Sequence, residues 1–352
     1  MDSVSSKPSS PASNVVTVLG QPAGLREADL LPPDQPLKPY PPLKRWRYNA
    51  GVRLAIFLAS FAVISFGLGM VAGVALVAGG ASSEDLFRVF SDWGNILAIP
   101  VSLLAYWLLV RVVEQRRPAY EFSARRLPRG VLVGLALGTI FILASVGVLA
   151  LFGAYRVEGF NPSYSPWGAI LSAGFGAAIV EEIVFRGVLF RLFEDTFGTW
   201  IAVAVSGLVF GFAHITNPQA TLQGAVAIAL EAGVLFAALY AFTRNLWLVM
   251  GVHFAWNVVQ GPVLGIVLSG TSARGAGFVE STLAGPEWLS GGQFGMEASL
   301  VTIVLLTAIG VWLLVEIARR GLVVQPSWVR RRALLARVDA GGEDAAPMQP
   351  GA

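Results

Sequence analysis

The 352-residue chain has no cysteine, only two histidines, and charged side chains at just 13% of its positions. Without cysteine, disulfides, thiolate nucleophiles and cysteine-ligated metals are excluded. Neither the His-Glu-x-x-His pattern of zinc helices nor a Gly-x-Ser-x-Gly elbow occurs in it. The scarcity of charge accompanies 55% hydrophobic residues and a mean hydropathy of +0.65. That composition is too apolar for a water-facing globule and predicts an all-α polytopic membrane protein.

About 20 apolar residues cross the ~30 Å hydrocarbon layer as a helix. Windows of that kind predict about eight spans, near residues 52–79, 93–113, 130–153, 166–190, 199–216, 221–243, 246–268 and 299–318. The net charge of +3 is small, so placement of the cations decides orientation. Lys44, Arg45, Arg47 and Arg53 flank the first span. Arg111, Arg116, Arg117, Arg125, Arg126 and Arg129 fill the second connection, and Arg319, Arg320, Arg330, Arg331 and Arg332 follow the last. The alternate connections hold Glu84, Asp85 and Asp92, then Glu158, then Glu280 and Glu287, with few cations. Positive charge concentrates on the cytoplasmic side of membranes, so both termini are expected there. Beside spans, such clusters serve orientation and contact with anionic lipid rather than nucleic acid.

Residues 1–43 are rich in Ser and Pro without apolar periodicity, and read as a disordered cytoplasmic tail. Residues 44–320 form the expected helical membrane domain, and 321–352 a second cytoplasmic tail. The loop 269–298 is expected to carry a short interfacial segment around Trp288 and Leu289. Glycines four apart, Gly69 with Gly73, Gly134 with Gly138, and Gly207 with Gly211, suit close helix packing in lipid.

Ionisable groups in hydrocarbon are costly unless paired or used, which singles out three clusters. On the fourth span Glu182 and Arg186 are four apart, on one face and able to pair, while Glu181 points about 100° away. Glu181 is thereby left free to act as a general base. On the fifth span His214 shares a face with Gly207 and Gly211, and Phe210 lies one turn before it. The two spans form an antiparallel hairpin turning near Phe197 and Gly198. Glu181 stands 16 residues before Phe197 and His214 stands 17 after it, so the two are nearly level. On the seventh span His253 and Asn257 share a face, roughly 13 Å of helix beyond the turn at Arg244 and Asn245. For the hairpin to match that depth, its tip at Glu194 and Asp195 is expected to protrude into the cytosol. Glu231, on the sixth span, is read as a structural partner for Arg244 or another group.

Two chemistries fit these residues. Glu181, His214 and His253 form a two-histidine, one-carboxylate set of the kind that holds Zn²⁺. Equally, Glu181 and His214 can activate water directly while His253 and Asn257 donate hydrogen bonds to an oxyanion. Either way the reaction is amide hydrolysis.

Glu181-Glu182-x-x-x-Arg186, Phe210-x-x-x-His214 and His253-x-x-x-Asn257, in that order on successive spans, resemble the three motifs of the CPBP (Abi) family, over roughly residues 130–265. That family contains CAAX-processing endopeptidases and bacterial proteins tied to bacteriocin processing or self-immunity. The resemblance implies an intramembrane endopeptidase of metalloprotease-like class in a bacterial plasma membrane. It also implies a cytosol-facing cavity and a peptide or membrane-protein substrate. By that similarity Glu181 and His214 activate water, His253 and Asn257 support the oxyanion, and Glu182, Arg186 and Phe210 shape the site. Whether Zn²⁺ takes part stays open. A noncatalytic scaffold or immunity protein and a proton-coupled transporter are the alternatives, the latter using Glu181, Glu231 and the histidines as a relay.

Overall fold

A computed structural model describes residues 45–115, 120–272 and 275–329. The expected tails at 1–43 and beyond 329, with Arg116 and Arg117, lie outside the described residues. Eight helices dominate: α1 Ala50–Ala78, α2 Ser83–Trp107, α3 Leu127–Leu151, α4 Trp167–Phe197, α5 Thr199–Ala213, α6 Leu222–Thr243, α7 Leu246–Val258 and α8 Leu300–Arg319. Seven helices among the described residues, all but α7, are long and apolar enough to cross a membrane. The chain is an all-α, polytopic integral membrane protein. Helix α7 is short and carries His253 and Asn257. It runs on through one π-helical stretch, Val259–Val263, and ends there, short of the 268 expected. Gly265, at φ 67°, turns the chain away.

Local sequence sets the helix ends. Asn49 caps α1 through the Val52 N–H, and Ser82 and Asp85 close a reciprocal capping box on α2. Thr221 caps α6 and Ser299 caps α8 in the same manner. Gly198, at φ 83°, makes the sharp corner between α4 and α5.

Close packing follows the glycines in two of three places. Helices α3 and α7 form the most extensive helix pair. A Cβ at Gly134 would collide with the Leu248 carbonyl, and one at Gly138 with that of Val252. Gly207 and Gly211 likewise seat α5 against Ala225, Ala229 and Gly233 of α6. The third pair differs: a Cβ on Gly69 or Gly73 meets nothing within 4 Å. Helix α1 has few buried residues, and among the described residues no helix comes close to these two glycines.

The two ends of the bundle differ in chemistry. At one end the connections α2–α3, α4–α5 and α6–α7 meet in a buried ionic network. Arg53 bonds Asp195 at 2.6 Å and Glu114 at 3.3 Å, and Arg191 bonds Glu114 at 2.9 Å. Arg244, in the left-handed conformation at φ 50°, pairs with Glu194, and Arg126 donates to the Thr243 and Arg244 carbonyls. The hairpin tip is therefore not a solvated projection. Glu194 and Asp195 are buried because arginines neutralise them, and Arg53 is buried rather than spread on lipid. The expected Glu231–Arg244 pair does not form, since Glu194 takes that guanidinium.

At the other end lie the α3–α4, α5–α6 and α7–α8 connections. There Tyr155–Phe160 (β1) pairs antiparallel with Val279–Leu283 (β2), with a register shift between Val157 and Gly159. The expected interfacial segment is the helical turn Glu287–Ser290, with Trp288 exposed. Gln219 N–H bonds the Gly270 carbonyl at 2.8 Å, and the Asn217 amide bonds the Ser269 carbonyl at 2.7 Å. These bonds clip the α5–α6 turn to the long α7–α8 loop.

Candidate active site

Helix α4 departs from α-geometry on both sides of its acidic pair. Residues Ile170–Ala177 and Ile183–Phe190 wind as π-helix, leaving Ala178–Glu182 as a short α-helical segment between them. Such widened turns cluster at functional sites because they re-aim neighbouring side chains. Gly176 fits directly under Asn95 of α2, and Gly174 under Phe254 and Val258 of α7, leaving no room for a larger residue.

The α-helical segment sends its two glutamates different ways. Glu182 is fully buried and its Oε1 accepts from Arg186 Nη1 at 2.9 Å and from His253 Nδ1 at 2.9 Å. Glu181 keeps 30% of its side chain exposed, its Oε2 lacks a hydrogen-bond partner among the described residues, and that oxygen stands 4.0 Å from His253 Nε2. The i, i+4 spacing thus produces the pairing expected of Glu182 with Arg186, while Glu181 turns to the cavity beside His253. The link from Glu182 to His253 joins residues 71 apart, and no periodicity announces it.

Both imidazoles are fixed through Nδ1. A carboxylate engaged by arginine only accepts, so His253 donates from Nδ1 and turns Nε2 toward Glu181. His214 Nδ1 lies 2.8 Å from the Phe210 carbonyl oxygen, also an acceptor only, leaving its Nε2 for the cavity. Phe210 is the wedge of the site. Its ring packs edge-on against His214, at 5.0 Å between centroids, and His253, at 6.0 Å. The Arg186 guanidinium covers it at 4.4 Å and Phe236 at 5.2 Å. Asn257 donates one amide hydrogen to the Ala173 carbonyl at 2.8 Å, which leaves its oxygen and second N–H uncommitted by that bond.

Glu181, His214, His253 and Asn257 all line one cavity of about 370 Å³, with Phe210 in its wall. Asn95, Asn217, Ser269, Thr271 and Glu297 also line it, and the motif spacing pointed to none of these. Glu297 is the most consequential. Buried just before α8, it accepts from Ser269 N–H at 2.5 Å, Ser269 Oγ at 3.0 Å and Trp256 Nε1 at 3.1 Å. Burial raises its carboxyl above the ordinary range, opposed by those hydrogen bonds and by the nearby His214 imidazole. An acidic residue in the short polar break ahead of an apolar span was the available signal. Glu231, fully buried on a π-helical turn of α6, has no hydrogen-bond partner for either oxygen among the described residues.

The free Nε2 atoms and the Glu181 carboxylate are zinc donors in kind. Their spacing does not make a ligand set, since among the described residues no three His, Asp or Glu side chains converge closely enough to hold a metal ion. The cavity also lies toward the sheet-bearing end of the bundle, walled by the α5–α6 and α7–α8 connections, away from the arginines. Cytoplasmic arginines and a cytosol-facing cavity were both expected; the cavity lining comes from the end of the bundle opposite the arginine network.

Fold and cavity define a polytopic helical membrane protein with a polar site enclosed among α4–α7. Residues 163–259 match the family model of Rce1-like type II CAAX prenyl endopeptidases. The protein named "Putative membrane peptidase YdiL" of Bacillus subtilis (strain 168) is 28% identical over 88 residues, or 25% of this chain and 34% of that protein. The match thus spans about a third of that relative's length. No solved structure matches the chain significantly. Both matches agree with the CPBP family, and the family-model match contains all three motifs.

Proposed function

We propose that the chain is an intramembrane endopeptidase of CAAX-protease type, hydrolysing peptide bonds of membrane-associated or membrane-proximal substrates. The observation that carries this reading is the convergence of Glu181, His214, His253 and Asn257 on one cavity, with Glu181 Oε2 free of hydrogen bonds among the described residues and 4.0 Å from His253 Nε2. The Glu181 carboxylate takes a proton from water as the oxygen attacks the scissile carbonyl carbon. His214 Nε2 accepts the second water O–H and orients the nucleophile. The second Asn257 N–H and the Nε2–H of protonated His253 receive the developing oxyanion. Collapse breaks the C–N bond, and Glu181 passes its proton to the leaving amine. Glu182 holds the His253 ring in place through Nδ1, and Arg186 anchors Glu182. No step runs through a metal.

The test compares Glu181→Gln and His214→Ala with wild type, using the membrane proteome to find cleaved substrates and thermal unfolding to confirm folding. Loss of a general base costs about 10²–10⁴ in rate, so cleavage disappears while folding persists. Full cleavage by a folded Glu181→Gln protein overturns the reading. Destabilised variants with unchanged cleavage profiles would point instead to a scaffold.

A further inference from the structure

The arginine-rich end and the cavity end of this bundle are opposite ends. Helices α1 to α8 alternate in direction, so the α2–α3, α4–α5 and α6–α7 connections share one face, and α1–α2, α3–α4, α5–α6 and α7–α8 share the other. Bonds between the connections agree with both groupings. Glu194 before the α4–α5 corner bonds Arg244 of the α6–α7 turn, while Asn217 of α5–α6 bonds Ser269 of α7–α8. Arg111, Arg125, Arg126, Arg129, Arg319 and Arg320 all lie toward the first face. Arg88, paired with Glu84 ahead of the second span, and Arg156 are the cations that the described part of the second face's connections contributes. A bias of that size holds the first face in the cytoplasm.

The cavity reaches the second face. Asn217, Leu268, Ser269, Thr271 and Glu297 come from connections on that side, and Ser172 and Ala173 from the end of α4 that enters there. Thr271 is exposed and Glu181 partly so, whereas Glu182, Phe210 and the Arg186 stack close the cavity toward the arginine end. Arg53, Glu114, Arg191, Asp195 and the Glu194–Arg244 pair then fill the space below. A peptide approaching from the cytoplasm would have to break these buried ion pairs.

We propose that the cavity opens to the non-cytoplasmic face, so that its substrates are segments already translocated: extracytoplasmic juxtamembrane stretches of membrane proteins or exported peptides. The substrate class rests on the endopeptidase reading; the direction of opening does not. Because the chain has no cysteine, one introduced thiol reports its own exposure. Thr271→Cys marks the mouth, Ser163→Cys the same face outside the cavity, and Ala124→Cys the arginine face. In intact spheroplasts expressing the full chain, a membrane-impermeant maleimide labels Thr271→Cys and Ser163→Cys. Ala124→Cys stays protected until the membrane is permeabilised.

The reverse pattern overturns the orientation. Labelled Ser163→Cys with Thr271→Cys silent in both preparations overturns the opening. Where Glu181-dependent cleavage is measured, external maleimide stops it in Thr271→Cys and leaves the thiol-free wild type untouched. Undiminished cleavage by fully labelled Thr271→Cys overturns substrate entry by this mouth. Labelling reads direction without any cleavage, so a failed protease reading, scored by Glu181→Gln, is distinguishable from a failed orientation.

Discussion

Glu182 offers the sharpest separation of stability from activity. Its Oε1 is the acceptor for both Arg186 and His253, and neither Glu182 nor Arg186 exposes any side-chain surface. Glu182→Ala leaves the Arg186 guanidinium buried with the Ala232 and Gly233 carbonyls at 3.4 Å, the Phe210 and Phe236 rings, and no carboxylate. Breaking one side of a buried ion pair costs about 3–5 kcal/mol. The lost His253 bond, worth about 1.5–3 kcal/mol for a charged group, overlaps that figure and does not add fully. The expected loss is therefore about 3–5 kcal/mol, read as unfolding free energy in detergent micelles.

Glu182→Leu combined with Arg186→Met removes both charges and replaces them with packed apolar volume, so it recovers most of that loss. Cleavage does not recover with it. In the double variant His253 still lacks its acceptor, so the orientation of Nε2 toward Glu181 is gone. Two results refute the reasoning: Glu182→Ala within about 0.5 kcal/mol of wild type, the scale of a neutral surface change, or a double variant no more stable than Glu182→Ala.

Three further outcomes are expected. Gly138→Leu, whose side chain would collide with Val252 and Ala255, loses about 1–3 kcal/mol by overpacking. Gly73→Leu, facing open space, stays within about 0.5 kcal/mol; equal losses in thermal unfolding would contradict the packing. A carboxyl raised in the folded state, such as Glu297, lends stability that is full below its unfolded pKa of about 4.3 and is lost as pH rises through the folded value. The unfolding midpoint therefore falls from pH 4 toward neutrality, and Glu297→Gln flattens that slope; an unchanged slope in the variant argues against it. Chelator treatment leaves cleavage unchanged because no three ligands converge among the described residues. Stoichiometric zinc by elemental analysis, lost in Glu181→Gln, would overturn that expectation.

What the sequence disclosed were interactions of short range or strong periodicity. The apolar windows located the helices because the bilayer imposes a length on each. The spacing of Glu182 and Arg186 forecast their pairing because one turn brings four-apart residues together. The Gly207 and Gly211 pair announced a close helix crossing, and α6 makes it. Helix periodicity is silent about π-helical turns, which keep the same apolar composition while rotating the side chains beyond them, and about the partner of any charge on another helix. Glu194 with Arg244 and Asp195 with Arg53 were therefore missed as pairs, and the tip they neutralise was expected in water. Gly69 and Gly73 show the converse: a small-residue pattern establishes that a helix can be approached closely, not that one does so among the described residues.

The buried ions at one end and the open site at the other are physically connected through α4. A helix with two π-helical stretches has extra freedom of rotation, and a slip of one residue would turn Glu181 about 100° away from the cavity. Arg191, bonded to Glu114, and Asp195, bonded to Arg53, fix the arginine end of α4 to α2 and α1. Glu182, bonded to His253, fixes its middle to α7. With both points held, the π-helical stretch between them has one register that satisfies every charge. A slip would leave at least two buried ions unpaired, at several kcal/mol each. The ionic network thereby sets the direction of Glu181, which meets it only at His253.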